Sequence, residues 1–308
     1  MNTERTSMKL QDILFSPFMN KFALWLGEHI SPKVGYWITE QIGTVIASRK
    51  KAEQVRAART NQWVVSGKTL SSEALDRRVK QVYINSSRSM YDYYHSMQKP
   101  DRILQKIEFD ESFNQFMALS KQKKNGLLGL ILHMGSFDLA GYAMTLNDMH
   151  PLILSYPSPN EAYQWQNELR RRSGLNVTPL SMQSLSHAAR FLRQGGTVIT
   201  GIDRPWRDLN HNPRFFGQPS DIPVTMIQLA LKTQVPISII ACIRKETERR
   251  YCLFASPLIN MVSYEDRDEE LIVNAEAVLK VAEGYLKKAP EQWAMFYPVW
   301  PQVLNETP

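Results

Sequence analysis

The stretch Leu127–Gly141, LLGLILHMGSFDLAG, decides how the chain is read. Six apolar or glycine residues run straight into His133, and Asp138 follows five places later, just ahead of another apolar run. At about 100° per residue, positions five apart on one continuous helix point roughly 140° away from each other, so a helix would keep the two side chains apart. A strand, a turn and a helix would not. On that reading the strand ends at His133, Gly135 supplies a free backbone turn, and Ser136 caps a helix that begins near Phe137. Asp138 then sits in the first helical turn and is expected to swing back toward the imidazole. A carboxylate on one ring nitrogen fixes the tautomer and leaves the other nitrogen free as a general base, suited to deprotonating a hydroxyl that belongs to a substrate. The plain alternative is a histidine satisfied within its own turn.

Working outward, strand-like runs recur at 127–132, 152–156, 176–180, 197–202, 236–243 and 251–255, most of them separated by helical stretches such as 159–173 and 184–193. Alternating strand and helix predicts an α/β core, a central sheet flanked by helices. Before it, from about Lys68 to Gln122, the pattern is helical, with one long element over 71–97 and a shorter one over 110–122. A last helix over roughly 268–288 precedes the aromatic tail PEQWAMFYPVW (290–300).

The N-terminal part opens twice with the same device, Ser16-Pro17 and Ser31-Pro32, each a cap residue before a proline at the first helical position. The helix from Pro17 carries Phe18, Met19, Phe22, Trp25 and Leu26 at helical spacing; the one from Pro32 carries Val34, Trp37, Ile38, Ile42, Val45 and Ile46. The second ends in Arg49, Lys50 and Lys51, with Arg56 and Arg59 soon after, as in helices that lie in an anionic lipid interface; packing against the rest of the fold is the other reading. The chain therefore divides into an amphipathic helical extension over 1–65 and an α/β domain over 66–308.

At 308 residues, 43% hydrophobic and 22% charged, the composition is that of an ordinary globular protein. A net charge of +7 implies an anionic partner: a nucleic acid, a phospholipid surface or a phosphorylated substrate. Eight arginines lie between Arg170 and Arg214 against two acids, Asp203 and Asp208; a solvated face would account for such a run equally well. Cys242 and Cys252 have no companions at metal-ligand spacing, so no metal site is expected and two buried, reduced thiols are. The N-terminus lacks the apolar core of a secretory signal, and no run approaches the roughly 18 to 20 apolar residues of a spanning helix, so the protein is expected to be soluble or to rest on a membrane from one side. His29, His95, His150, His187 and His211 lack companions like those of His133 and read as structural or exposed.

The block HMGSFDLAG resembles the His-x4-Asp block of glycerolipid acyltransferases, in particular the lipid A biosynthesis acyltransferases and their relatives, the phosphatidylinositol mannoside acyltransferases. Three further blocks match in order. LRRRSGLNVTPL (169–180) looks like the segment with an arginine four positions before a glycine, here Arg170 and Gly174; GTVITGIDRPW (196–206), then PRFFGQPSDIPVTMIQLALKTQVPI (213–237), resembles the strand ending in Asp-Arg or Asp-Gln, with Phe-Phe-Gly, a proline and a helix after it; PEQWAMFYPVW resembles the family's Pro-x-Gln-Trp. Two features differ: many lipid A enzymes carry glutamate where this chain has Asp138, and they often begin with a spanning helix.

The resemblance implies a glycerolipid acyltransferase-like fold with a mixed sheet, and an O-acyltransferase without metal or bound cofactor. Its co-substrate would be acyl-CoA or acyl-carrier protein, its acceptor a lipid or glycolipid hydroxyl, and its place the cytoplasmic face of the inner membrane, held peripherally at an anionic surface. His133 would take the proton from the acceptor hydroxyl, with Asp138 orienting it. Arg170 would bind the donor's phosphate or the developing oxyanion; Asp203 and Arg204, at a strand end where α/β sites gather, would shape the acceptor site, and Phe216 would abut an acyl chain. A hydrolase using Ser136 is a weaker variant. From another class, the chain could be a non-catalytic lipid- or nucleic-acid-binding protein, though no zinc-finger or RNA-recognition motif supports nucleic acid as a partner.

Overall fold

The computed structural model describes residues 24–97, 99–157, 161–206, 210–245 and 247–308. Most of the helix expected from Pro17 lies outside them, although residues 24–29 are helical; Arg207 and Asp208 also lie outside. After the helical segment 24–29 come α1 (Pro32–Ala47), α2 (Glu53–Val65), α3 (Ser72–Ser96) and α4 (Pro100–Lys106). Then follow β1 (Ile107–Phe109), α5 (Glu111–Gln122), β2 (Leu127–Ile131), α6 (Phe137–Leu146), β3 (Leu152–Ser155), α7 (Glu161–Arg172), β4 (Asn176–Pro179), α8 (Met182–Arg193) and β5 (Thr197–Gly201). A small hairpin, β6 (Arg214–Phe215) and β7 (Gln218–Pro219), leads to α9 (Thr225–Thr233), β8 (Ile237–Lys245), β9 (Arg250–Ala255) and α10 (Arg267–Lys288).

The seven-stranded sheet has the order β1-β9-β8-β2-β5-β3-β4. Every neighbouring pair is parallel except β8 with β9, so the sheet is mixed, as expected. β2 lies at its centre, and a parallel strand covered on both faces must be apolar on both. Leu128, Leu130 and Leu132 join the core under α8, α9 and α10, whereas Leu127 joins the opposite core beneath α5 and α6. Cys242 and Cys252, on the antiparallel pair β8 and β9, are free and buried.

Two N-terminal helices show how the extension meets the rest of the chain. α2 is bound into the body: Asn61 donates to the carbonyls of Met295 and Tyr297 and accepts from the Val299 amide, and Gln62 donates to the Pro290 carbonyl. The other is α1. It packs on α3 through Gly35, Thr39 and Gly43, where a Cβ on Gly43 would lie 2.6 Å from the Ile84 backbone nitrogen. Four of its larger apolar residues face outward, with Val34 46%, Trp37 62%, Ile42 44% and Val45 53% exposed, while Ile46 packs against the buried cluster of Val55, Ala58, Val79 and Tyr83. Close helix approach needs small side chains, so Gly35, Thr39 and Gly43 take the face against α3 while Val34, Trp37, Ile42 and Val45 stay outside.

Candidate active site

Register between two parallel strands builds the centre of the site. β2 and β5 are neighbours with Ile131 opposite Gly201, so residues two steps beyond each strand end, His133 and Asp203, arrive side by side. The Asp203 carboxylate is fully buried and takes three N–H donors. Oδ1 accepts from His133 Nδ1 at 2.6 Å; Oδ2 accepts from the His133 amide at 2.8 Å and from Trp293 Nε1 at 2.7 Å. An ionised carboxylate only accepts, so Nδ1 carries the proton and Nε2 is left with its lone pair. Among the described residues nothing hydrogen-bonds Nε2, and the ring, 22% exposed, lies on the wall of a cleft of about 850 Å3. Phe137 meets the ring edge-on at 5.1 Å, and Gly201 leaves it room, since a Cβ there would come within 2.5 Å of Cε1.

Asp138 does not make the contact expected of it. The turn after β2 has the predicted form, with Gly135 at φ +57° and α6 starting at Phe137, but Asp138 Oδ1 accepts from Arg170 Nε at 2.7 Å. The neighbouring strand delivers a nearer carboxylate to the imidazole, and the guanidinium holds Asp138. Arg170 is itself buried: its Nη1 donates to Asn167, and Asn167 donates to Ser155 Oγ. Burial alone would lower the Arg170 pKa; the adjacent Asp138 charge, together with Tyr163, more than reverses this and keeps the guanidinium firmly protonated. The same carboxylate, after burial, holds the Tyr93 and Tyr94 hydroxyls above their ordinary range. Ser136 does occupy the N-cap position of α6, yet its hydroxyl donates to the Ser89 carbonyl instead of capping the helix.

The remaining expected residues separate. Arg170, committed to Asp138 and Asn167, is not on the cleft wall, so it does not present donors to a phosphate there. Asp203 orients His133 instead of shaping an acceptor site. Phe216 also lies off the wall, at φ +51°, with its ring against Trp300 and its amide donating to Glu283. Arg204 does line the cleft, packed against Tyr156 and Tyr297. The arginine-rich run is thus not one solvated face: Arg170 is internal, Arg171 and Arg172 pair with Glu168, and Arg190 and Arg193 rim the cleft.

From His133 the cleft continues between α8 and α9, lined by Leu185, Ala189, Met226 and Leu229 over Leu154 and Ile202. Both helices run back from the strand ends, and Arg193 Nη2 donates to the Lys232 carbonyl where they finish. This groove escaped the sequence reading because its two walls come from separate helices, though the strong amphipathicity of α8 was a signal. Trp293 belongs to the tail block PEQWAMFYPVW, where nothing in the sequence ties it to His133. The tail wires it in: the Ala294 amide donates to the His133 carbonyl at 2.8 Å, and Gln292 exchanges two hydrogen bonds with the Arg244 backbone. Among the described residues no three His, Cys, Asp or Glu side chains gather as metal ligands would.

The four sequence blocks therefore meet in space, as His133 with Asp138, Arg170, Asp203 and Trp293. Comparison with curated proteins finds no match. Comparison with family models finds one, to the bacterial lipid A biosynthesis acyltransferases, over residues 5–302. That match spans nearly the whole chain and every element that builds the site, and the chain is accordingly an acyltransferase that belongs to the bacterial lipid A biosynthesis acyltransferase family.

Proposed function

We propose that the protein transfers a fatty acyl group from a thioester, acyl-CoA or acyl-carrier protein, to a hydroxyl of a lipid or glycolipid at an anionic membrane surface, with no resident cofactor. One observation carries the mechanism: His133 Nδ1 is held by buried Asp203 while Nε2 is free on the wall of the cleft. Nε2 takes the proton of the acceptor hydroxyl as its oxygen attacks the thioester carbonyl. The tetrahedral intermediate collapses with cleavage of the C–S bond, and the imidazolium returns the proton to the leaving thiolate. Asp203 steadies the imidazolium throughout. A positioned general base contributes about 10²- to 10⁴-fold. The direct route needs no acyl-enzyme, and the turning of the Ser136 hydroxyl toward the Ser89 carbonyl supports it.

The apolar groove between α8 and α9 suits an acyl chain, with its carbonyl at His133. Membrane association is supported by the outward apolar residues of α1 and by the basic residues Arg49, Lys50 and Lys51 that follow it. No helix among the described residues is long and apolar enough to cross a membrane. The cytoplasmic face of the inner membrane, where acyl thioesters are available, is the surface proposed.

The test is incubation of the purified protein with vesicles of bacterial lipid extract and radiolabelled acyl-CoA or acyl-carrier protein. Label moves to a lipid with wild type and not with His133→Ala or Asp203→Asn. Transfer that survives both substitutions would sink the mechanism, and absence of transfer with either donor from folded, vesicle-bound protein would turn the reading toward a lipid-binding role.

A further inference from the structure

Arg204 directly follows the residue that orients the base, and it lines the same cleft as His133. Its Cζ lies 3.7 Å from the Tyr156 ring centroid and 4.4 Å from that of Tyr297, with Tyr163 at 5.8 Å. Trp206 meets the Tyr156 ring edge-on at 5.4 Å. The guanidinium carbon is thus held close to two tyrosine rings at once. Among the described residues no carboxylate pairs with Arg204 and no hydrogen bond uses its donors, whereas Arg170 next door is saturated by Asp138 and Asn167. Aromatic rings restrain a guanidinium, and its unpaired N–H donors match two oxygens of a phosphate.

From this arrangement we infer that Arg204 is a phosphate-recognition residue of the acceptor, with Tyr156 and Tyr297 as its positioning residues. The inference rests on the acyl-transfer reading only in naming the ligand as acceptor. Distance favours that source. Arg204 directly follows Asp203, which holds His133, and both Arg204 and His133 line one cleft, so a phosphate on Arg204 shares the span of that cleft with the reacting centre. A headgroup phosphate close to the acylated hydroxyl fits that span. The phosphate of an extended phosphopantetheine arm, separated from the thioester by the whole pantetheine chain, does not.

The test measures binding, not turnover, by calorimetric titration of the full chain with dihexanoyl phosphatidate and dihexanoylglycerol below their aggregation limits. A second pair, S-butyryl phosphopantetheine and S-butyryl pantetheine, reports on the donor. Wild type and His133→Ala are expected to prefer phosphatidate by about 10- to 100-fold, the worth of a charge-assisted hydrogen-bonded pair. Arg204→Met removes that preference, Arg204→Lys keeps a part of it through charge alone, and Tyr156→Leu weakens it; none changes the phosphopantetheine preference. A preference that survives in folded Arg204→Met overturns the assignment, as does the lack of phosphatidate binding by wild type. Loss of the phosphopantetheine preference instead would give the residue to the donor and overturn the acceptor reading. Because His133→Ala binds without turning over, failure of the catalytic mechanism leaves this result separate.

Discussion

At the scale of single residues, the two acids that accompany His133 do different work, and substitution separates them. Asp203→Asn keeps the shape but can no longer hold the Nδ1–H tautomer or the imidazolium; kcat is expected to fall by about 10²- to 10⁴-fold with little change in melting temperature. Asp138→Asn leaves the buried Arg170 charge without its partner, so stability is expected to fall by about 3–5 kcal/mol in denaturant titration. Adding Arg170→Met should recover most of that loss, because replacing both charges removes the uncompensated one. Recovery of neither stability nor fold in the double variant would show that the pair is not the reason. The thiols offer a further check. Burial raises Cys242 to about 12 and Cys252 to about 11, so both stay protonated at pH 8 and should resist a thiol reagent such as DTNB until the protein is unfolded.

At the scale of elements, the strand–turn–helix of Leu127–Gly141 was legible in the sequence because every step depends on neighbours in the chain: an apolar run, a glycine free to adopt φ +57°, and a helix start at Phe137. Gly135→Ala should destabilise the turn by about 2 kcal/mol or more, since a left-handed alanine alone costs roughly 1–2 kcal/mol and its Cβ would lie 2.2 Å from the Cys242 carbonyl oxygen. The orientation of α1 was not legible in the same way. Its apolar spacing is the same whether the bulky residues face a core or a membrane, and only the approach of α3 to Gly35 and Gly43 decides that they face outward. Trp37→Ser is accordingly expected to weaken binding to anionic vesicles about tenfold or more without lowering the melting temperature; an unchanged affinity in a flotation assay would remove α1 from the membrane-binding surface.

At the scale of the whole molecule, Asp92 ties the N-terminal helices to the sheet. Fully buried, it accepts from Tyr36 on α1, Lys106 at the end of α4 and Tyr251 on β9. Burial and then the Asp92 charge hold both tyrosine hydroxyls above their ordinary value of 10.0. For Lys106 burial works downward, but the Asp92 charge raises it past 10.5 on balance. In each case the unfolded chain loses its proton first as pH rises, so the stabilisation is present below about pH 10 and is lost above it. Alkaline titration of the melting temperature should show a decline beginning there, and a flat profile through pH 11 would exclude the cluster as a source of stability.

The sequence by itself determined the α/β alternation, the helix and strand boundaries near the site and the four ordered blocks, because periodicity, turn chemistry and motif spacing are local properties of a chain. The tertiary structure alone decided which acid serves His133. Asp138 is five residues away and Asp203 is seventy, yet strand register brings Asp203 to the imidazole while α7 brings Arg170 to Asp138. It also decided that Trp293 supports the carboxylate, that Arg204 stands stacked in the cleft, and that two separate helices enclose the groove. Each of these contacts joins residues far apart in sequence, and hydrogen-bond partners are chosen by proximity in space, which no spacing along the chain records.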